Sequence, residues 1–426
     1  MKHIRNMPVE SFSSFINLLP LRVGRASTAK RQIAMQRNSN ERCICIIHPM
    51  DLRGSKVGGI ETFARDMVAF CPPTWRVLFL GVDGIGDLPL GKITPVEFGG
   101  RLVEFMPIIR YSEADQNKAA SRLLQSVTFL FFIGLLKYII SIRSLLRGAK
   151  ANVYLHRVEL APFSILTGRP FVQVVHGDGV PLKPMSSLLS QFRLVYQATE
   201  FLVAHTSFRY FAVNAGLVDK MKARFPKLHD KFRLINTWVD PRIFVPTAFP
   251  AGDVIELGYV GRLDDFKDPD LMFQTVATLM QRRRQVRLHY IGTGDPTRFP
   301  AYASVRDHVV LHGFRNRLEI AQLLSTFHLG VLFSHFEGMP FFALETLSCG
   351  RPMVTTDLPQ LRPVVQDGFS GRIVPSRSPD DLATAIEEVF SAIQAAKVDP
   401  MVVHGMVHDF HPEGQISKLY EAMNAL

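Results

Sequence analysis

The chain has 426 residues, which is too long for one ordinary hydrophobic core, so we expect two domains. Its composition, 47% hydrophobic and 20% charged, is that of a globular protein. The net charge of +11 predicts anionic partners: nucleic acid, phosphorylated small molecules or an acidic membrane surface. No basic stretch carries interleaved aromatic residues and no zinc-finger spacing occurs, so nucleic acid is the least supported of these and we expect none.

The first forty residues form a basic segment that we expect to lie outside the fold. Their apolar part, Phe12 to Leu21, is short and is broken by Ser, Asn and Pro, unlike the apolar core of a secretory signal. An Arg-rich, acid-poor segment also fits an organellar transit peptide, and that alternative stays open. We predict a poorly ordered basic arm over residues 1–40.

Four cysteines occur in the chain, at positions 43, 45, 71 and 349. The first two would share one face of a strand. We expect buried thiols, because a disulfide scaffold is unusual in so long a chain. The protein is therefore predicted to be intracellular.

From Arg42 onward, short apolar runs alternate with helical patterns, which is typical of βαβ units. In the first half the predicted strands are CICIIHP, RVLFLGV, LVEFMPI, NVYLHRV and FVQVVHG; in the second half they are IELGYVG, VRLHYIG, VVLHGF, LGVLFSH and PMVTTD. Between the halves, residues 239–254 carry three prolines and one glycine and read as a linker. The pattern predicts an α/β protein of two doubly wound domains that face each other, hinged near residue 247.

One helical pattern, Ser121–Lys150, is strongly apolar. Its longest uncharged run, Leu123 to Leu136, is too short to span a membrane. No acidic residue occurs from Gln116 to Val158, although seven basic ones do. Three interpretations stay open: a core helix of the first domain, a basic, apolar surface helix that lies on an anionic membrane, or, despite the short uncharged run, a true membrane span.

The stretch HFEGMPFFALETLSCG places Glu337 and Glu345 on either side of a predicted helix start. Pro340 suits the first helical position, and Gly350 suits the position after the helix. The backbone N–H groups of Gly338, Met339 and Phe341 and the helix dipole would attract an anion. Glu345 would lie about 7–8 Å further along the axis, which matches the span from a diphosphate to the ribose of one nucleotide. Taken alone, the pattern fits a merely structural helix equally well.

Three other segments contain candidate ligand-binding residues. In YVGRLDDFKDP, the cations Arg262 and Lys267 follow a strand and would converge on a phosphate. Gly58 and Gly59 open an amphipathic helix and would let a ligand approach the backbone, although the dinucleotide fingerprint is absent. His176 ends a buried strand, where it would serve a structural role or donate to a hydroxyl or phosphate oxygen. The sequence has no phosphate loop, zinc-protease or esterase motif, and we expect no metal and no other cofactor.

With these segments in order, the chain resembles the retaining glycosyltransferases of family 4, which have the two-domain GT-B fold. The resemblance covers roughly residues 42–420 and is most specific in the second half, where the E-x7-E pattern corresponds to Glu337 and Glu345. There are departures: Lys267 is followed by Asp-Pro where a glycine is common, Phe369-Ser370 replaces the usual polar pair, and residues 236–240 contain Thr-Trp where a glycine is usual. These departures lie at the edges of the expected site.

The resemblance implies roles for the catalytic candidates. Arg262 and Lys267 would hold the diphosphate of a nucleotide-sugar and stabilise it as a leaving group. Glu337 would hold the donor sugar, and His176 would contact that sugar from across the cleft. No protein nucleophile is assigned, because a same-face attack is the usual proposal for the family.

The resemblance also implies a set of donor-binding residues. Glu345 would bind the ribose, and the amides next to Glu337 would bind the sugar. The base would pack near Phe314 and Arg315, and the glycine pair Gly58-Gly59 would lie by the phosphate. These residues are Glu345, Gly338, Met339, Pro340, Gly58, Gly59, Phe314 and Arg315.

The expected function is thus retaining transfer of a sugar from a UDP- or GDP-linked donor to an acceptor hydroxyl. We expect a glycan or lipid-linked acceptor in bacterial surface polysaccharide synthesis, and a cytoplasmic enzyme that is peripheral on the inner face of the plasma membrane. The alternatives are a GT-B phosphorylase, a nucleotide-sugar epimerase or a non-catalytic sugar-binding protein. The expected division is an arm (1–40), an acceptor-binding domain (41–247), a donor-binding domain (248–404) and a C-terminal helix that crosses back to the first domain (405–426).

Overall fold

The computed structural model describes residues 42–54, 58–112, 126–176 and 193–426. The basic arm predicted for residues 1–40 lies outside these ranges. Within them the strands form two separate sheets, one of eight strands and one of six. All four cysteines are buried, and none of them forms a disulfide.

The first sheet consists of β1 (Arg42–Ile47), β2 (Trp75–Asp83), β3 (Thr94–Phe98), β4 (Arg101–Arg110), β5 (Asn152–Leu155), β6 (Phe171–Val175), β7 (Arg209–Ala212) and β8 (Phe232–Leu234). The order across the sheet is β3-β4-β2-β1-β5-β6-β7-β8. All neighbours are parallel except β3 and β4, which are joined through Gly99 and Gly100. The φ angles of these two glycines, +59° and +74°, suit a two-residue hairpin turn.

The described helices that accompany the first sheet are α1 (Gly59–Ala69), α2 (Val127–Lys137), α3 (Ile139–Gly148), α4 (Ala161–Thr167), α5 (Arg193–Thr206) and α6 (Ala215–Arg224). Helix α1 packs in one cluster of buried residues, and α2 to α6 pack in another. Because both faces of the sheet are covered, its central strands are almost continuously apolar.

The second sheet consists of β9 (Ile255–Val260), β10 (Val286–Ile291), β11 (Val309–Gly313), β12 (Leu329–Leu332), β13 (Met353–Thr356) and β14 (Gly371–Val374). Its order is β11-β10-β9-β12-β13-β14, and every pairing is parallel. The helices described in this half of the chain are α7 (Pro269–Gln281), α8 (Tyr302–Val305), α9 (Arg317–Leu324), α10 (Phe341–Ser348), α11 (Pro379–Gln394), α12 (Pro400–Gly405) and α13 (Pro412–Asn424). This strand order is that of a dinucleotide-binding doubly wound sheet.

All ten predicted strands are confirmed. The sequence interpretation missed β3, β7, β8 and β14, each of five residues or fewer. Residues 239–254, predicted as a linker, contain no helix or strand. The buried Arg351, between α10 and β13, donates from Nη1 to the carbonyl oxygen of Thr247 at 2.8 Å and from Nη2 to that of Ala248 at 2.8 Å. These hydrogen bonds hold the linker on the second domain.

The prediction of one helix over Ser121–Lys150 is wrong for the described residues 126–150. The chain there forms α2 and α3, which meet at an angle of 74° around Tyr138. The bend lets both helices place their inner residues in the core cluster of the first sheet; these residues are Phe131, Leu135, Ile142 and Leu146. Across the described part of the chain, no single helix is long and apolar enough to cross a membrane, whereas this bent pair passes on length and composition when taken together.

Helix α13 packs on the first sheet although it follows the second one in the chain. Its residues Ile416 and Leu419 lie in the same buried cluster as Ile44 of β1. The hydroxyl of Tyr420 donates to the carbonyl oxygen of Met67 at 2.8 Å. The exact domain boundaries at residues 247 and 404 stay predictions.

Candidate functional site

The second sheet has a crevice where its strand order reverses, between β9 and β12. These strands are parallel neighbours, with Leu257 beside Leu329. In doubly wound sheets, ligands bind outside the carboxyl ends of the strands at such a point. The segments that follow the two strands contain Arg262 and Lys267 on one side and Glu337 on the other.

Lys267 and Glu337 are in direct contact at this crevice. Lys267 ends a short 3₁₀ turn, Asp265–Lys267, and its position is fixed because Asp268 caps α7 immediately afterwards. Lys267 Nζ donates to Glu337 Oε1, which also accepts from Ser334 Oγ at 2.7 Å. Glu337 is buried, so the contact places a compensated charge pair where the two strands end.

Arg262 lies at the same end of the sheet but is not drawn into that pair. Its Nη2 lies 2.9 Å from Asp264 Oδ2, and its side chain is 71% exposed. An exposed ion pair of this kind is worth about 0–1 kcal/mol, so a phosphate group would readily compete for the guanidinium.

Helix α10 begins one residue later than predicted. Pro340 has extended backbone angles and caps the helix, and Phe341 is the first helical residue. Gly350 closes the other end as predicted, with φ of +74°. The positive end of the helix dipole therefore lies beside Gly338 and Met339, in the loop that carries Glu337.

Glu345 is buried in α10 and faces charged residues of both domains. Its Oε1 lies 4.0 Å from Arg317 Nε, and Arg317 Nη1 donates to Asp66 Oδ1 of α1 at 3.0 Å. Burial raises the pKa of the Glu345 carboxyl to about 7; Arg317 opposes this rise and Asp66 adds to it. The carboxyl thus exchanges its proton near neutral pH.

Asp66, Trp238 and Arg317 were not predicted as site residues. Trp238 Nε1 donates to Asp66 Oδ2 at 2.8 Å, so α1, the residue just before the linker and α9 meet at one carboxylate. Burial raises the pKa of Asp66, although Arg317 and Trp238 act in the opposite direction. The only sequence signal was Trp238 itself, at a position where the resembling family usually has a glycine.

The first domain approaches the Glu337 loop closely. A Cβ added to Gly338 would lie 3.0 Å from Val213 Cγ2 and 3.2 Å from the carbonyl oxygen of His176. A Cβ added to Gly59 would lie 3.6 Å from the Phe341 ring. Thr237 Oγ1 donates to the carbonyl oxygen of Met339 at 2.7 Å. His176 and Gly59, with its neighbour Gly58 as the cap of α1, therefore lie opposite the start of α10.

Phe314 and Arg315 follow the edge strand β11. Phe314 is 46% exposed, and Arg315 Nη1 donates to the carbonyl oxygen of Phe314 at 2.9 Å. They lie two strands away from β9 at the same end of the sheet. An exposed aromatic ring at this edge offers a surface on which a flat base would stack.

Among the residues that the structure describes, no group of three or more His, Cys, Asp or Glu side chains is arranged to hold a metal ion. The polar residues brought together at the crevice are instead cations, buried carboxylates and the N–H groups at the start of a helix. Such groups bind anions and hydroxyl groups.

The two doubly wound sheets and the cleft between them define the GT-B fold. Solved structures of this class cover most of the chain: sucrose-phosphate synthase from Thermosynechococcus elongatus has a TM-score of 0.68 and 17% identity over 90% of this chain and 99% of that one. Anabaena HepE in complex with UDP and glucose has a TM-score of 0.66 and 15% identity over 90% of this chain and 100% of that one. These likenesses establish the fold alone.

Residues 255–392 match the family model described as "Glycosyl transferases group 1". The chain is also 30% identical over 154 residues to the D-inositol 3-phosphate glycosyltransferase of Geodermatophilus obscurus, which is 33% of this chain and 34% of the relative. The chain spans between 34% and 57% of the length of the first curated relatives that it matches. The similarity is thus to glycosyltransferases, and the family-model match lies in the second domain.

Proposed function

We propose that this protein is a retaining glycosyltransferase that moves a sugar from a UDP- or GDP-linked donor to an acceptor hydroxyl. The observation that carries the proposal is the crevice between β9 and β12, where Arg262, the Lys267–Glu337 pair and the start of α10 occupy one end of a dinucleotide-type sheet. The similarity of residues 255–392 to group 1 glycosyltransferases supports the same conclusion.

In this proposal the second domain binds the donor. Arg262 and Lys267, with the N–H groups at the start of α10, stabilise the negative charge that develops on the diphosphate as it leaves. Glu337 accepts hydrogen bonds from the sugar hydroxyls and Glu345 accepts them from the ribose. The base stacks near Phe314. No metal or other cofactor is proposed, because fixed cations and the helix dipole supply the charge stabilisation.

The first domain contributes to the opposite wall of the donor site. Gly59 allows close approach of the phosphate to the start of α1, and His176 contacts the sugar. The acceptor enters from this side, and the enzyme holds its hydroxyl on the face of the sugar that the diphosphate leaves. Transfer with retention follows from that same-face arrangement without a protein nucleophile.

A panel of UDP- and GDP-sugars tests the proposal. A ligand that binds the folded state at 100 times its Kd stabilises it by about 2.7 kcal/mol, so the true donor is expected to raise the Tm measurably. Sugar transfer from that donor to a membrane extract is then measured. Turnover of the donor without an acceptor would indicate an epimerase, and a requirement for inorganic phosphate would indicate a phosphorylase; either result would contradict the proposal.

We also propose that the acceptor is lipid-linked or membrane-proximal, and that the protein is peripheral on the inner face of the plasma membrane, in bacterial surface polysaccharide synthesis. Helix α4 contacts α2, α3 and α5, so these helices form one layer on the first sheet. Large apolar side chains of this layer are exposed: Ile133, Ile140, Leu166 and Phe201. Lys137 and Arg147 are exposed beside them. An apolar surface with cations suits an anionic lipid surface.

Vesicle sedimentation tests the membrane proposal. Replacing both Lys137 and Arg147 with glutamine is expected to weaken binding to anionic vesicles at low salt by roughly 25-fold, since each surface cation is worth about 1 kcal/mol. The matched control, Arg298→Gln with Arg306→Gln on the second domain, removes the same charge and is expected to have no such effect. The membrane proposal would be contradicted if both double variants bound vesicles equally weakly, or if the wild-type protein did not bind vesicles at all.

A further inference from the structure

Two histidines meet at the carboxyl ends of neighbouring strands in the first domain. His156 follows β5 and His176 follows β6, and these strands are parallel neighbours. His156 Nδ1 lies 3.1 Å from His176 Nε2, within hydrogen-bond distance. His156 is only 4% exposed and packs edge-to-face with Tyr154 and Phe63, with ring centroids 4.8 Å and 5.0 Å apart.

Both imidazole rings are neutral at physiological pH. Burial, together with His48, lowers the pKa of His176 to about 3, against the opposing effect of Glu61. Burial, His176 and His48 lower the pKa of His156 well below its ordinary value. Each neutral ring carries one N–H, so one ring donates and the other accepts in the contact between them.

The other nitrogen of His156 decides which ring donates. His156 Nε2 is buried and has no hydrogen-bond partner among the residues that the structure describes. If His176 donated, the proton of His156 would lie on Nε2 and leave a buried N–H unsatisfied, and orphaned buried N–H groups are rare in proteins. If His156 donates from Nδ1, only a lone pair is left in the apolar surroundings. The second arrangement is the more stable one.

We propose that His156 is a positioning residue that fixes His176 as the tautomer with its proton on Nδ1. Because Nε2 of His176 is engaged by His156, Nδ1–H is the group that His176 can offer to the cleft. His176 would therefore act as a hydrogen-bond donor, and not as a base, toward a sugar hydroxyl or a phosphate oxygen. This role rests on the proposed function, whereas the tautomer itself does not.

A second histidine pair provides a built-in contrast. His289 Nδ1 lies 2.9 Å from His312 Nε2, and His289 Nε2 lies 2.8 Å from the Glu256 carboxylate. A carboxylate accepts only, so a singly protonated His289 donates from Nε2 to Glu256 and accepts at Nδ1. The first residues of the two pairs are thus expected to carry their protons on different nitrogens: His156 on Nδ1 and His289 on Nε2.

Long-range ¹H–¹⁵N spectra of the full-length protein labelled in histidine test the tautomers directly, with single His→Asn variants for assignment. His176 is expected to carry its proton on Nδ1 in the wild-type protein and in His156→Asn, whose amide still donates at that position. In His156→Leu a mixture of tautomers is expected. A proton on Nε2 of His176 in the wild-type protein would overturn the inference, whether or not the variants fold.

Transfer kinetics test the role in function. His156→Leu is expected to lower kcat/KM by roughly threefold to tenfold, mainly through the donor KM, because one neutral hydrogen bond is fixed less well. His156→Asn restores most of this loss, and His289→Asn, which disturbs the other pair, leaves kcat/KM unchanged. If His156→Leu transferred as fast as the wild-type protein, the positioning role would be refuted. If no donor were used at all, the proposed function would fail while the spectra still decided the tautomer.

Discussion

Replacing Glu345 with glutamine is expected to stabilise the protein above pH 7 and to weaken nucleotide-sugar binding at the same pH. The folded-state pKa of Glu345 is about 7, whereas a free glutamate ionises near 4.5. Between these values the folded state keeps a proton that the unfolded state has released. The free energy of unfolding therefore falls as the pH rises from about 4.5 to about 7, by up to about 3 kcal/mol.

Glutamine has the shape of the neutral acid and does not ionise, so Glu345→Gln removes this loss. Since 1 kcal/mol shifts the Tm of a domain of this size by about 2–4 °C, the variant is expected to melt up to about 10 °C above the wild-type protein at pH 8 and much closer to it at pH 5. Glu388→Gln, which removes a 52% exposed carboxylate, serves as the matched control and is expected to change the Tm little.

Calorimetric titration with a nucleotide-sugar completes the test. If the ribose requires the carboxylate, the Kd of the wild-type protein is expected to rise about tenfold between pH 8 and pH 6, as the ionised fraction falls. Glu345→Gln should bind the nucleotide-sugar with a higher Kd, and this Kd should not change with pH. If Glu345→Gln were no more stable than the wild-type protein at pH 8, the raised pKa of the Glu345 carboxyl would be refuted. If the two proteins had equal Kd values for the nucleotide-sugar at pH 8, the role of Glu345 in binding would be refuted.

Two further substitutions examine the crevice and the approach of the domains. Lys267→Met leaves the buried Glu337 carboxylate without its cation and is expected to destabilise the protein by roughly 3 kcal/mol in urea unfolding, a modest value for a buried pair because Lys267 is 18% exposed. Adding Glu337→Gln should restore stability but not transfer; a destabilised double variant would contradict this account. Gly338→Ala would place a Cβ 3.0 Å from Val213 Cγ2, so it is expected to slow transfer while the unfolding midpoint stays near the wild-type value. Unchanged transfer by Gly338→Ala would mean that the close domain approach is not needed.

The sequence predicted the second domain better than the first. Four of its five predicted strands end at a Gly, His or Asp, and the crevice residues follow two of these strands directly in the chain. The local sequence pattern was enough to identify the crevice residues, because these residues lie within a few positions of the strand ends. Lys267 and Glu337 were identified singly, but their mutual contact depends on β9 and β12 being neighbours, which the sequence does not reveal.

The first domain contains the main misreadings, and their causes are tertiary. The bend at Tyr138 has no proline to mark it, and apolar residues continue on both sides of it, so periodicity predicted one helix. The β3–β4 hairpin did carry a signal, Gly99-Gly100, that the interpretation did not use. His156 was not considered, because its meeting with His176 requires the strand order of the first sheet.

The residues at the domain contact were the hardest to foresee. Asp66, Trp238 and Arg317 come from a helix of the first domain, the segment just before the linker and a helix of the second domain. Each has an ordinary structural role when read alone: a charge on an amphipathic helix, a buried aromatic residue, and a cation in a first helical turn. Their convergence beside Glu345 follows only from the way the two sheets face each other.

The central claim is that Arg262 stabilises a departing nucleoside diphosphate during sugar transfer. The most direct measurement is the transfer rate of Arg262→Ala with the donor identified from the panel, compared with Arg306→Ala, whose side chain is also 71% exposed on the same domain. The account predicts a loss of about 100-fold or more in kcat for Arg262→Ala, and a wild-type rate for the control. Equal rates for both variants would contradict it.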